Sequence, residues 1–235
     1  MPYTGGVLPG GPTDVRELEE LIVRKVAVGP MRNNAYLLTC RASGAQLLID
    51  AADEPDRLLA LVREGSAWSQ LDLVVTTHQH RDHHQGLGEV VAATGAPTAA
   101  GAEDAVGIPV PTSRTLRHGE VIVVGRLTFE VIALRGHTPG SVALAYREPV
   151  HPATSRVAAD GAVPGRVHLF TGDSLFPGGP GRTSGAAAFG LLLEDLQTRV
   201  FDPFDDETWV YPGHGADTTL GVERPHLDEW RVRGW

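Results

Sequence analysis

Thr77-His78-Gln79-His80-Arg81-Asp82-His83 packs four potential metal ligands into six positions, directly after an apolar run at residues 71–76. An apolar run of that length bounded by a polar turn predicts a buried strand. Side chains alternate along a strand, so His78 and His80 leave its end on the same side and can grip one cation between them. Asp82 and His83 fall in the turn that follows, within reach of a second position. Imidazole mixed with carboxylate suits a borderline-soft cation such as zinc, and accepts iron or manganese as well. Three further candidates each follow an apolar run and sit beside glycine: His137 in Gly136-His137-Thr138-Pro139-Gly140, Asp173 in Thr171-Gly172-Asp173-Ser174, and His214 in Pro212-Gly213-His214-Gly215. Glycine permits tight turns that bring a ligand up to a cation without crowding it. The seven positions together offer five imidazoles and two carboxylates.

The elements that must position these residues follow from the hydrophobic pattern. Short strands are expected at 21–28, 35–39 and 46–49. Residues 55–64 carry Leu58, Leu59, Leu61 and Val62 among charges, the pattern of an amphipathic helix. After the motif strand, 86–94 predicts a helix whose N-terminus lies beside the ligands. Runs at 120–124 and 127–134 flank Gly125-Arg126 and predict a hairpin. A strand at 141–146 leads into 148–166, a stretch rich in Pro, Ala and Gly that reads as an exposed excursion. A strand at 167–171, a helix at 189–200 with Leu192, Leu193, Leu196 and Val200 inward, and a last strand at 208–211 complete the series. Residues 1–20, Gly/Pro-rich and then acidic, read as an N-terminal lead-in to one domain over 21–235.

Composition narrows the setting. A chain of 235 residues with 42% apolar and 21% charged content fits a globular domain with a substantial core. No segment approaches twenty consecutive apolar residues, so no membrane span is expected. The net charge of −9 disfavours a nucleic-acid surface, which needs clustered Lys or Arg. Cys40 is the only cysteine, so no intrachain disulfide forms. The N-terminus lacks a basic start followed by an apolar stretch, so no signal peptide is read, and a cytoplasmic location is expected.

The ordered ligand set resembles the metallo-β-lactamase superfamily from about residue 21 to the end. Within it the chain is most similar to the glyoxalase II-like hydrolases, through H-T-P-G at His137, T-G-D-S-L-F at 171–176 and Y-P-G-H-G at 211–215. The resemblance implies an α/β (α+β) fold, a four-layer αββα sandwich with a metal site at one edge of the sheets. It implies two divalent cations, zinc first, with His78, His80 and His137 on one, Asp82, His83 and His214 on the other, and Asp173 bridging. Only twenty-one residues follow His214, too few for the C-terminal helical domain with which full-length glyoxalase II holds glutathione. The resemblance is therefore to short single-domain members, and the thiol carrier stays open. A bridging Asp173 also separates the chain from true β-lactamases, which commonly carry Cys or His there.

Residues near the motifs have weaker roles. Asp50, at the end of the 47–49 run, is either an orienting partner for a ligand imidazole or a turn carboxylate. Arg182, in Gly178-Gly179-Pro180-Gly181-Arg182-Thr183, is a substrate-binding candidate for an anionic group. His84 stands beside His83, and adjacent side chains diverge, which points to a supporting or solvent role. Cys40 reads as a small core residue. His118, His151, His168 and His226 show no usable spacing.

The expected chemistry is hydrolysis of a small-molecule acyl substrate through a metal-bridging hydroxide, with Asp82 as ligand and catalytic residue. A thiolate leaves with a pKa near ~8.5 and needs no strong general acid, so a hydroxyacyl thioester of a small thiol suits a site that shows ligands but no evident proton donor. A lactonase and a persulfide dioxygenase are the alternatives on the same fold. A metal-binding structural protein is the non-enzyme alternative, weakened because structural zinc sites are closed and sulfur-rich.

Overall fold

The computed structural model describes residues 2–66, 70–150 and 162–234. Two mixed sheets pack face to face. The first runs β1 (Asp14–Glu17), β2 (Leu21–Val28), β3 (Asn33–Cys40), β4 (Gln46–Ile49), β5 (Leu73–Thr76), β6 (Thr98–Gly101), β7 (Arg114–Leu116) in simple sequence order. Its first four strands are antiparallel neighbours; β4 to β7 are parallel, which requires crossovers between them. Helices α1 (Pro55–Gly65) and α2 (Leu87–Thr94) supply two of these. The second sheet is built from β8 (Val121–Val124), β9 (Leu127–Ala133), β10 (Val142–Arg147) and β11 (Val167–Gly172). A small hairpin, β12 (Leu175–Phe176) and β13 (Gly179–Pro180), follows, then α3 (Ala186–Leu196), β14 (Trp209–Pro212) and β15 (Thr218–Thr219). The second sheet's spatial order is β15-β14-β11-β10-β9-β8. Helices α4 (Leu220–Glu223) and α5 (Leu227–Arg233) close the chain.

The layers follow from which faces are apolar. Tyr36, Leu38, Leu47, Val75, Phe129, Leu144, Phe170 and Tyr211 point between the sheets and form the central core. Leu37, Leu48 and Val74, one residue out of phase, point the other way and meet Leu58, Leu61, Val62, Leu87 and Val90 of α1 and α2. Ala143, Leu169 and Val210 do the same beneath Phe189, Leu192, Leu196 and Trp230. This is the αββα sandwich: the faces beneath the helices are apolar because they are covered, while the outer face of β8 and β9 carries the exposed Val121, Val123, Thr128 and Glu130.

Residues 1–20 do more than lead in. β1 pairs antiparallel with β2, extending the first sheet by its edge strand. The expectation missed it because the buried residue of that strand is Arg16, whose guanidinium lies 4.2 Å from the centre of the Trp209 ring. The hairpin at 120–134 forms around Gly125-Arg126 as expected. Helix α3 starts three residues earlier than expected, at Ala186, since Ala186-Ala187-Ala188 favours helix without an amphipathic signal. A π-helical turn, Gln197–Phe201, then carries the helix on, so Val200 stays buried. The middle of the 148–166 stretch lies outside the described residues. Its start is not exposed: Glu148 is buried and accepts hydrogen bonds from Val163 N and from His168 Nε2.

Candidate metal centre

All seven candidate ligands converge at one edge of the sandwich, where strands of both sheets end. β5 ends at Thr76 and delivers His78 and His80; the 3-10 turn Arg81–His83 then turns Asp82 and His83 inward. β9 leads to His137, β11 to Asp173 and β14 to His214. The seam is closed by Val142 N donating to Thr77 O across the two sheets at 2.9 Å.

The donor atoms form overlapping groups: His78, His80 and His137; His78, His83 and Asp173; Asp82, His83 and His214. His78 Nε2 lies 3.1 Å from His80 Nδ1 and 3.2 Å from His137 Nε2. Asp82 Oδ2 lies 3.6 Å from His83 Nε2 and 3.5 Å from His214 Nε2. Asp173 faces both groups, with Oδ1 3.3 Å from His83 Nε2 and Oδ2 3.5 Å from His214 Nε2 and 3.7 Å from His137 Nε2. Donors bound at zinc distances around a tetrahedral ion stand about 3.3 Å apart, so this spacing fits divalent cations. Two buried atoms reinforce the fit. His83 Nε2 and Asp173 Oδ1 have no hydrogen-bond partner, a costly state that a cation between them would relieve.

The imidazoles are turned inward by bonds on their other nitrogens. His137 Nδ1 donates to Arg182 O at 2.6 Å and His214 Nδ1 to Met31 O at 3.1 Å, since a carbonyl can only accept. His83 Nδ1 donates to Asp50 Oδ2 at 2.8 Å. Thr77 Oγ1 donates to the same carboxylate at 2.9 Å and accepts from His78 Nδ1 at 3.0 Å. Each of these rings is left presenting Nε2 to the site. Asp50 thus orients two imidazoles at once, from a left-handed backbone (φ 58°) that an Asp tolerates. Gly213 makes the last approach possible: a Cβ there would lie 2.1 Å from Asp173 Oδ1 and 2.8 Å from His83 Cε1.

Electrostatics follow from burial and charge. Burial works against charge on His83, but Asp50 and Asp173 prevail and push it up to about 10. Burial would raise Asp173; the facing imidazoles of His214, His83 and His78 outweigh it and hold the carboxyl far below the usual range. Burial pushes His78 and His137 down. Without a cation the carboxylates draw a proton onto His83, so a cation binding there competes with that proton.

Several supporting residues carry no local sequence signal. Asn33 Nδ2 donates to Asp82 Oδ2 at 2.9 Å from 49 positions away. Lys25, fully buried, donates to Gly5 O, Gly215 O and Asp217 Oδ1 at 2.6–2.8 Å, fastening the turn after His214. Arg135 forks onto Asp195 of α3 and anchors the approach to His137. His84 is buried and donates through Nε2 to Gln79 O at 3.1 Å. Arg182 contributes its carbonyl to the His137 ring while its side chain is exposed. Cys40 is buried.

A family model for the metallo-beta-lactamase superfamily matches residues 28–151. A hydroxyacylglutathione hydrolase from Fuscovulum blasticum is 37% identical over 182 residues, covering 77% of this chain and 62% of its own length. The chain therefore spans less than two thirds of that relative. The crystal structure of ETHE1 from Myxococcus xanthus superposes with a TM-score of 0.69 at 28% identity, over 87% of this chain and 82% of that one. The structure of TTHA1623 in a di-iron-bound form gives 0.62 at 31% identity, over 85% and 96%. Among the described residues no helix is long and apolar enough to cross a membrane.

Proposed function

Because the chain belongs to the metallo-β-lactamase superfamily, we propose that it is a metal-dependent hydrolase of thioesters, acting on hydroxyacyl derivatives of a small thiol. The observation that carries this reading is the pair of donor groups joined by Asp173, in a chain similar to a hydroxyacylglutathione hydrolase. His78, His80 and His137 would hold one cation, Asp82, His83 and His214 the other, and Asp173 would serve both. Two divalent cations there, zinc first and iron or manganese as alternatives, would supply Lewis acidity toward an acyl carbonyl and acidify water to near neutrality.

The chain's own residues would do the rest. Asp82, steadied by Asn33, turns its carboxylate toward the shared space and would orient an incoming water there. His80 is exposed and marks the open side through which an acyl group would enter. The groups gathered around the site are ligands and their hydrogen-bond partners, and a thioester suits them because a thiolate departs without protonation. Arg182 would bind the anionic end of the substrate. It lines a cavity of about 540 Å³ together with Arg233, Thr183 and the start of α3, and helix N-terminal N–H groups favour negative charge. A cytoplasmic setting fits a single, buried cysteine.

The test is side-by-side kinetics of the metal-reconstituted protein on a hydroxyacyl thioester, an acyl lactone and a β-lactam. The expected outcome is the highest kcat/KM on the thioester. A higher value on the lactone or the lactam would replace this reading.

A further inference from the structure

Asp104 lies outside the donor set, yet its carboxylate is fully engaged. It is completely buried, just after β6. Its Oδ2 accepts from Gln79 N at 2.9 Å and from Thr138 Oγ1, and its Oδ1 accepts from Gly140 N at 2.7 Å. Gln79 separates His78 from His80 on the loop leaving the first sheet. Thr138 and Gly140 follow His137 on the loop leaving β9 of the second. One carboxylate therefore ties together the two segments that carry all three imidazoles of the first donor group.

The tie leaves no slack. A Cβ at Gly140 would lie 2.4 Å from Asp104 N, and one at Gly101 would lie 1.8 Å from Gly140 O, so these segments meet backbone to backbone. Gln79 is pinned from its other side as well, its carbonyl accepting from His84 Nε2. With its N–H and its C=O both held, the Gln79 backbone is restrained from both sides, and with it the loop that carries His78 and His80 beyond the end of β5.

We infer that Asp104 is a positioning residue for the first cation position, fixing the separation between the His78/His80 loop and the His137 loop. The second position, held by Asp82, His83 and His214, does not depend on it. This inference rests on the two-cation reading above. Asp104→Asn isolates the effect because an amide accepts at one atom and donates at the other. It must then oppose either the Gln79 N–H or the Gly140 N–H with its own NH₂.

The experiment titrates metal-free wild type, Asp104→Asn and Thr138→Val with cadmium, followed by calorimetry and by cadmium NMR, which gives each position its own resonance. Asp104→Asn should weaken the first position by about tenfold or more, the range typical of losing outer support, and shift its resonance, while the second keeps its affinity within about twofold. Thr138→Val removes one of the three donors and should weaken the same position by less. Equal weakening of both positions, or none in a folded Asp104→Asn, would overturn the inference. If Asp104→Asn does not fold, Thr138→Val decides by the same selective loss. Wild type that takes fewer than two ions would instead overturn the underlying two-cation reading.

Discussion

Asp173 has a different task from the other donors because its two oxygens face different imidazoles. Oδ1 meets His83, while Oδ2 lies between His214 and His137. Removing this carboxylate should therefore cost both cation positions, whereas removing the ring of His214 should cost only the one it shares with Asp82 and His83. We expect Asp173→Ala to lower occupancy at both positions. His214→Ala should weaken one by more than about 100-fold, beyond what losing an outer partner costs. Metal content of each dialysed variant checks this; equal loss of both ions in His214→Ala would remove the distinction. The donors were legible in the sequence because four of them crowd into residues 78–83 after an apolar run and the other three each follow an apolar run beside glycine. Their supports were not. Asn33, Lys25 and Asp104 look like ordinary strand or turn residues until folding brings them to partners tens of residues away.

Among the elements, four strands are joined by one buried polar chain. Arg16 of β1 donates to the Tyr211 hydroxyl of β14 at 3.2 Å, and that hydroxyl lies 2.8 Å from His168 Nδ1 on β11. His168 Nε2 reaches Glu148, just beyond β10, at 2.8 Å. A neutral imidazole satisfies the whole chain: Tyr211 donates to Nδ1 and Nε2–H donates to Glu148. Burial pushes His168 down to about 4, outweighing its hydrogen bond to Glu148. An unfolded histidine titrates near ~6.5. Between these values the unfolded chain binds the extra proton, so stability falls as pH drops through that window. Wild type should lose about 2 kcal/mol between pH 7 and pH 5 from this group. Denaturant unfolding of metal-free protein at both pH values checks it: His168→Gln should show a smaller loss, and an equal loss would refute the assignment. His168 had no usable spacing because its partners lie 20 and 43 positions away. The strands and helices were easier. Their out-of-phase apolar residues show in a local window, whereas the edge strand β1 hid behind a buried arginine.

For the molecule as a whole, the proposed function requires two sheets to meet at one edge. The first sheet supplies His78, His80, Asp82 and His83, the second His137, Asp173 and His214, so neither half is a site alone. Local pattern shows that each ligand or ligand cluster follows a strand; it does not show that four strand ends from two sheets coincide. The resemblance of the whole ordered set carried that step, and the fold bears it out. The proposed chemistry requires this edge to hold two cations that act together. The most direct measurement is metal content by elemental analysis of the protein stripped with chelator, reconstituted with zinc and freed of unbound metal. Two ions per chain is the predicted result. At most one ion per chain, with the protein folded and zinc in excess, would contradict it.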